Sequence, residues 1–99
     1  MTSSNIQAKI SEWADRNGFL YNKIVSAARS GWPDCILIIH GITYYFEVKF
    51  KSDKLRPLQK RKIQKMNKHD TIAFVIYNFR DFLNIVERIL NGKNHHLVD

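Results

Sequence analysis

Two carboxylates and one amine are spaced in this sequence so that they can share a single piece of chemistry: Asp34, Glu47 and Lys49. The segment between them can be laid out by counting. His40-Gly41 reads as a two-residue hairpin loop, since glycine at the second position suits the left-handed backbone of a tight turn. Ile39 then pairs with Ile42, all paired residue numbers share one sum, and Asp34 and Glu47 have that same sum. They are expected as direct cross-strand neighbours on one face, with Cβ atoms roughly 4.5–5.5 Å apart. Carboxylates that close repel each other unless they share a proton or a cation. Lys49, two residues beyond Glu47, projects from the same face.

Such a trio suits metal-assisted phosphodiester hydrolysis. Magnesium takes oxygen ligands in near-octahedral geometry, usually one or two carboxylates completed by waters and substrate phosphate oxygens. The ion stabilises charge on the phosphoryl group and makes water a better nucleophile, while a nearby ammonium orients that water or stabilises the developing charge. The alternative is that Glu47 and Lys49 are only the polar face of a half-buried strand, a pattern that alternation produces constantly. Pro33, at the mouth of the preceding strand, favours the site reading because its fixed bend aims the aspartate that follows.

The surrounding elements follow from periodicity. Ser3 and Ser4 can cap a helix with Ile6, Ile10, Trp13 and Ala14 inward, stopped by Gly18. Phe19 to Val25 predicts a short strand, and Ser30 to Pro33 breaks the pattern. Asp34 to Ile39 predicts an apolar strand, isoleucine-rich enough to be buried on both faces. From Thr43 to Lys51 the chain alternates, with Tyr44, Phe46, Val48 and Phe50 on one side and Tyr45, Glu47, Lys49 and Lys51 on the other. Ser52 to Arg56 is a polar loop. Pro57 opens a helix to about Asn67, with Gln59, Ile63 and Met66 inward and Leu58 beside them. Thr71 to Tyr77 is a β-branched and aromatic strand. Asn78 caps a last helix that turns Phe82, Val86, Ile89 and Leu90 inward and ends at Gly92. The expected order is helix, three strands, helix, strand, helix: a mixed-sheet α/β (α+β) fold in one domain over residues 1–92, followed by a loose tail, 93–99. The first three strands can form an antiparallel meander and the next unit a parallel crossover.

Ninety-nine residues suffice for one modest core. The longest apolar run, Cys35 to Ile39, is far too short to span a bilayer, and Met1 to Gln7 lacks the order of a signal peptide. One cysteine, Cys35, cannot form an internal disulfide and lies in an apolar run, which predicts a small core residue and a reducing, cytoplasmic setting. The net charge of +7 is unevenly placed. From Lys49 to Lys68 stand nine Lys or Arg and one acid, Asp53, a local +8 that leaves −1 for the other 79 residues. Such density predicts a polyanionic partner such as nucleic acid, where a solvated helix face is the bland alternative. Lys23, Arg29, Lys51, Lys54, Arg56 and Lys60 are the candidates for phosphate contact. Tyr44 and Tyr45 are available in principle to stack on an unpaired base, or else to pack. His40 belongs to the turn, and His95 and His96 lack further ligands for a metal.

Gly31-Trp32-Pro33-Asp34, twelve intervening residues, Glu47-Val48-Lys49, and then Pro57 and Gln59 opening a helix resemble the PD-(D/E)XK nuclease signature. Within that superfamily the chain is most similar to the VRR-NUC (virus-type replication-repair nuclease) family over about residues 5 to 77. The resemblance implies a restriction-endonuclease-like αβββαβ core with an added C-terminal helix. It also implies a site in which Asp34, Glu47 and the Val48 backbone carbonyl hold Mg²⁺ or Mn²⁺, Lys49 acts on the attacking water and Gln59 reaches in from its helix. Relatives carry a glutamate near the start of the first helix, where this chain has Ser3, Ser4 and Asn5. Glu12 is the only acid in that helix before Asp15, and is either a metal-site residue or a plain surface carboxylate. The resemblance further implies a homodimeric endonuclease for branched or flapped DNA, or a Holliday-junction resolvase in the strict sense, serving phage or prophage replication and repair in a bacterial host. A non-catalytic nucleic-acid-binding module of the same fold is the alternative. No small-molecule cofactor or membrane partner is expected.

Overall fold

The computed structural model describes residues 3–25, 32–50, 55–69 and 71–92. Ser52, the Ser30-Gly31 break, Arg29, Lys51, Lys54, Asp70, His95, His96 and the 93–99 tail all lie outside the described residues.

Helix α1 (Ser3–Asn17) buries Ile6, Ile10 and Ala14 on one side. It ends as Gly18 predicts: Gly18 takes φ 76°, its N–H reaches the Asp15 carbonyl, and the Phe19 N–H reaches the Ala14 carbonyl at 2.9 Å. Those two bonds satisfy carbonyls that the last helical turn would otherwise leave open. They also shorten the first strand. Phe19 is spent on the helix end, so β1 runs only Leu20–Lys23.

Strands β2 (Cys35–Ile39) and β3 (Ile42–Val48) form the expected hairpin. His40 and Gly41 both have positive φ, 51° and 81°, which is the twist a two-residue loop needs, and Ile39 pairs with Ile42. Helix α2 (Pro57–Lys68) leads to β4 (Ile72–Ile76), which lies parallel to β3, and α3 (Phe79–Leu90) follows. The sheet order is β1-β2-β3-β4, antiparallel except for the β3–β4 pair. It is the mixed sheet that the sequence predicts, and helices cover both of its faces.

The main core lies between one sheet face and helices α1 and α3. Cys35, Leu37, Ile39, Tyr44, Phe46, Val48 and Ile76 meet Ile6, Ile10, Ala14, Phe82, Val86 and Ile89. Phe46 stacks on Phe74 at 5.5 Å and meets the edge of Phe82 at 5.3 Å. The buried stripe of α2 is the expected one, Gln59, Ile63 and Met66. It lies on the opposite face, where Asn67 bonds both backbone groups of Ala73.

Three further expectations change here. The β2 strand is fully buried on one face only: Ile36 and Ile38 are half-buried, beside the exposed Leu20, because α2 packs on β4 and leaves the β1–β2 end uncovered. Tyr44 is stacked on Phe74 in the core and is unavailable to a base. In α3, Ile85 takes the inward place expected for Leu90, which turns out to solvent on the last turn.

Phe82, with no exposed surface, touches Trp13, Phe46 and Phe79 and so ties both helices to the sheet. Phe82→Ala is expected to cost about 3–5 kcal/mol of stability in urea denaturation. Leu90→Ala, at an exposed site, should cost less than about 1 kcal/mol. Equal midpoints for the two variants would contradict this placement of the core.

Candidate active site

Asp34 is the last residue before β2. The β2–β3 ladder ends at the Cys35–Phe46 pair, and the Asp34 N–H donates to the Phe46 carbonyl at 3.0 Å. Asp34 is therefore one step outside the ladder and does not face Glu47 within it as the counting predicts. Pro33 supplies the reason, since it has no N–H with which to continue the pairing. Two further bonds hold the aspartate. Its carbonyl accepts the Ile24 N–H at 2.8 Å, and its Oδ2 accepts the Val48 N–H at 2.8 Å. The carboxylate thus crosses to β3 and is anchored between Glu47 and Lys49.

Glu47 is the unusual residue. Only 2% of it is exposed, although it stands on the face that alternation reserves for polar groups. Helix α2 covers it, and Gln59 Nε2 donates to its Oε2 at 2.8 Å. The other end of the same amide accepts the Arg56 N–H at 3.3 Å, so Gln59 also closes the first turn of α2. Lys49 Nζ lies 3.5 Å from Glu47 Oε2. Glu47 Oε1 is buried and has no hydrogen-bond partner among the described residues.

Burial is the largest influence on Glu47 and the Asp34 charge the next. Lys49 and Gln59 pull the other way, and the balance raises its pKa from 4.5 to about 7. Cys35, behind Asp34, is a buried core thiol pushed up to about 12 by the same desolvation. Tyr21 is bonded to it and is raised as well.

This donor set fits a hard divalent cation. It offers two carboxylates in electrostatic contact and one oriented oxygen without a partner. Among the described residues, no cluster of three or more His, Cys, Asp or Glu side chains could close a structural zinc site. One or two carboxylates completed by carbonyl, water and phosphate is the arrangement that magnesium prefers.

The structure brings together Asp34, Glu47, Lys49, Gln59 and the Val48 backbone. Glu12 is not among them, being exposed on α1. The polar residue that α1 buries is Gln7, which lines a pocket of about 230 Å³ with Ser4, Ser11, Tyr21 and Lys23. Its signal was readable, since Gln7, Ile10 and Ala14 recur at helical spacing, but a search for acids passes over it. Lys23 is exposed on β1, opposite Cys35. Arg56 and Lys60 are exposed at the start of α2, flanking Gln59. Trp32 is half-buried under the Lys62 ammonium, 4.8 Å from the ring centroid, which clasps the approach to Asp34 against α2.

A family model described as the VRR-NUC domain matches residues 3–79. Among solved structures, one described as a VRR-NUC domain has a TM-score of 0.77 at 28% identity, covering 88% of this chain and 97% of its own. A second, a VRR-NUC domain protein, has a TM-score of 0.74 at 18% identity, covering 89% and 87%. The Holliday junction resolvase Hjc of Archaeoglobus fulgidus has a TM-score of 0.57 at 15% identity, covering 76% and 67%, and at that distance shares the fold alone. Among curated proteins, none matches the sequence.

The position of Glu47 has a measurable consequence. A folded-state pKa raised above the unfolded value contributes stability below about 4.5 that is lost as pH rises through about 7. Above that range the ionised carboxylate costs the metal-free fold about 3 kcal/mol. Glu47→Gln should therefore raise the melting temperature of the metal-free protein more at pH 8 than at pH 5. A gain independent of pH would mean that Glu47 is not held as described.

Proposed function

The chain belongs to the VRR-NUC domain family of nucleases, and from that premise we propose that it is a divalent-metal-dependent endonuclease that hydrolyses phosphodiester bonds in DNA. The observation that carries this reading is the buried Glu47 carboxylate beside Asp34, with one oxygen fixed by Gln59 and the other without a partner among the described residues.

In this proposal Asp34, Glu47 and the Val48 backbone carbonyl would hold Mg²⁺ or Mn²⁺, which when bound neutralises phosphoryl charge and increases the acidity of water. The rest falls to the chain. The Val48 N–H fixes the Asp34 carboxylate, and Gln59 fixes that of Glu47, so neither has to reorganise when a phosphate arrives. Lys49, with 15% of its side chain exposed, stands at the opening of the site. Its ammonium orients the attacking water and stabilises charge on the phosphoryl oxygens. Lys23, Arg56 and Lys60, with Arg29, Lys51 and Lys54 from the sequence, contact the flanking phosphates.

The substrate we propose is branched or flapped duplex DNA, cut by a homodimer in the cytoplasm of a bacterial host during phage or prophage replication and repair. A domain of this size presents little surface to a large substrate, and pairing two copies would extend it.

Incubation with supercoiled plasmid and with synthetic four-way, flap and linear duplexes tests the reading. Cleavage should require Mg²⁺ or Mn²⁺ and stop on chelation. Lys49→Ala and Asp34→Ala should each slow it by about 10²-fold or more. The site assignment would be falsified if both variants cut as fast as the parent. DNA binding without cleavage of any substrate would instead indicate a non-catalytic module.

A further inference from the structure

Helix α2 turns Gln59, Ile63 and Met66 toward the sheet. At 100° per residue, Arg61, Lys65 and Lys68 fall within a narrow stripe on the opposite side. All three are exposed. The helix contains no Asp or Glu, and no carboxylate is paired with any of the three among the described residues. Chance mixing of surface charge usually interleaves the two signs, and i,i+4 acid–base pairs stabilise an exposed helix by a few tenths of a kcal/mol each. This helix forgoes them along its whole outer face.

The geometry points to a second nucleic-acid contact: we propose that Arg61, Lys65 and Lys68 bind the phosphate backbone of a duplex DNA arm away from the phosphate being cut. Arg61 to Lys68 spans about 10 Å of helix, and one strand of a duplex carries a phosphate every ~3.4 Å of its axis, so the stripe matches about three successive phosphates. The three residues face away from Gln59, so they cannot reach the phosphate at Glu47. They meet DNA that extends beyond the site, around the outside of α2.

The partner's class follows from what the stripe lacks. A single-strand platform needs exposed aromatic rings, and α2 has none. An interfacial membrane helix needs an exposed apolar face, but the apolar stripe of α2 is buried on the sheet. A regular, purely electrostatic row suits the backbone of a double helix.

This inference rests on the nuclease reading for the position of the scissile phosphate, and its test reads binding without cleavage. Binding of flap and four-way substrates is measured in chelator across a salt series, for the parent and for Arg61→Gln/Lys65→Gln/Lys68→Gln. A control, Arg16→Gln/Arg80→Gln/Arg88→Gln, removes the same charge from other exposed positions. The α2 variant should lower the slope of log affinity against log salt by roughly 2 to 3 and weaken long-armed substrates by about tenfold or more. Binding of a hairpin duplex too short to extend past the site along α2 should change less than twofold.

An unchanged slope in the α2 variant, or an equal loss in the control, overturns the proposal. So does lost binding to phosphatidylserine vesicles with DNA binding intact, which would assign the stripe to a membrane. A loss of slope in a protein that cleaves nothing supports the stripe and sinks the hydrolytic reading, so the two failures are distinct.

Discussion

A carboxylate enclosed by protein costs several kcal/mol unless its surroundings return the hydration it has lost, and the far end of this sheet is arranged around that cost at Glu47. Gln59 returns one hydrogen bond and Lys49 an opposite charge. Asp34 makes matters worse, because a second anion beside the first further disfavours ionisation. One oxygen has no hydrogen-bond partner among the described residues. A core selected only for stability would not retain such a group. On the proposed function, that oxygen is held ready for a cation.

Holding that arrangement requires rigidity on both sides of the sheet. On one face Phe46, a neighbour of Glu47, is locked into the core by Phe74 and Phe82, and its other neighbour Val48 is buried in the same core. On the other, α2 is fixed over the site by its own first turn, where a single amide serves as cap and as partner to Glu47. The hairpin sets the register, and a one-residue slip would exchange the faces and send Glu47 into the aromatic cluster. The Trp32–Lys62 contact and the Asp34–Val48 bond bring the incoming segment to the same place. The local chemistry is thus specified by elements from four parts of the chain.

Much of this was legible in the sequence because it depended on short-range rules. Glycine at position 41 set the turn, the turn set the register, and alternation put Glu47 and Lys49 on one face. Helical spacing alone turned Gln59 inward. What the sequence did not disclose depended on long-range packing. Where α2 lands decides that Glu47 is buried while Ile36 and Ile38 stay partly open. Asp34 stepped out of the ladder because hydrogen-bond supply at Pro33 overrode the simple count. Tyr44 had a functional reading only while its neighbour Phe74 was unknown. Gln7 escaped notice because an uncharged amide on an apolar stripe looks like an interruption of the core until its surroundings are seen.

Charge counting joins these features on the functional reading. Asp34 and ionised Glu47 bring two negative charges, Lys49 one positive charge, and a phosphodiester would add a third negative charge. Two charges are then uncompensated, which is the charge of one divalent ion. Without that ion an approaching phosphate would raise the pKa of Glu47 further, and the carboxyl would take up a proton near neutral pH. Without the phosphate, an ion would meet fewer oxygen ligands than it prefers. Each partner improves the site for the other, so their binding is coupled by reciprocal linkage. On this reading the burial of Glu47 would strengthen the coupling, because the same low dielectric that penalises its charge alone would amplify its attraction to a cation.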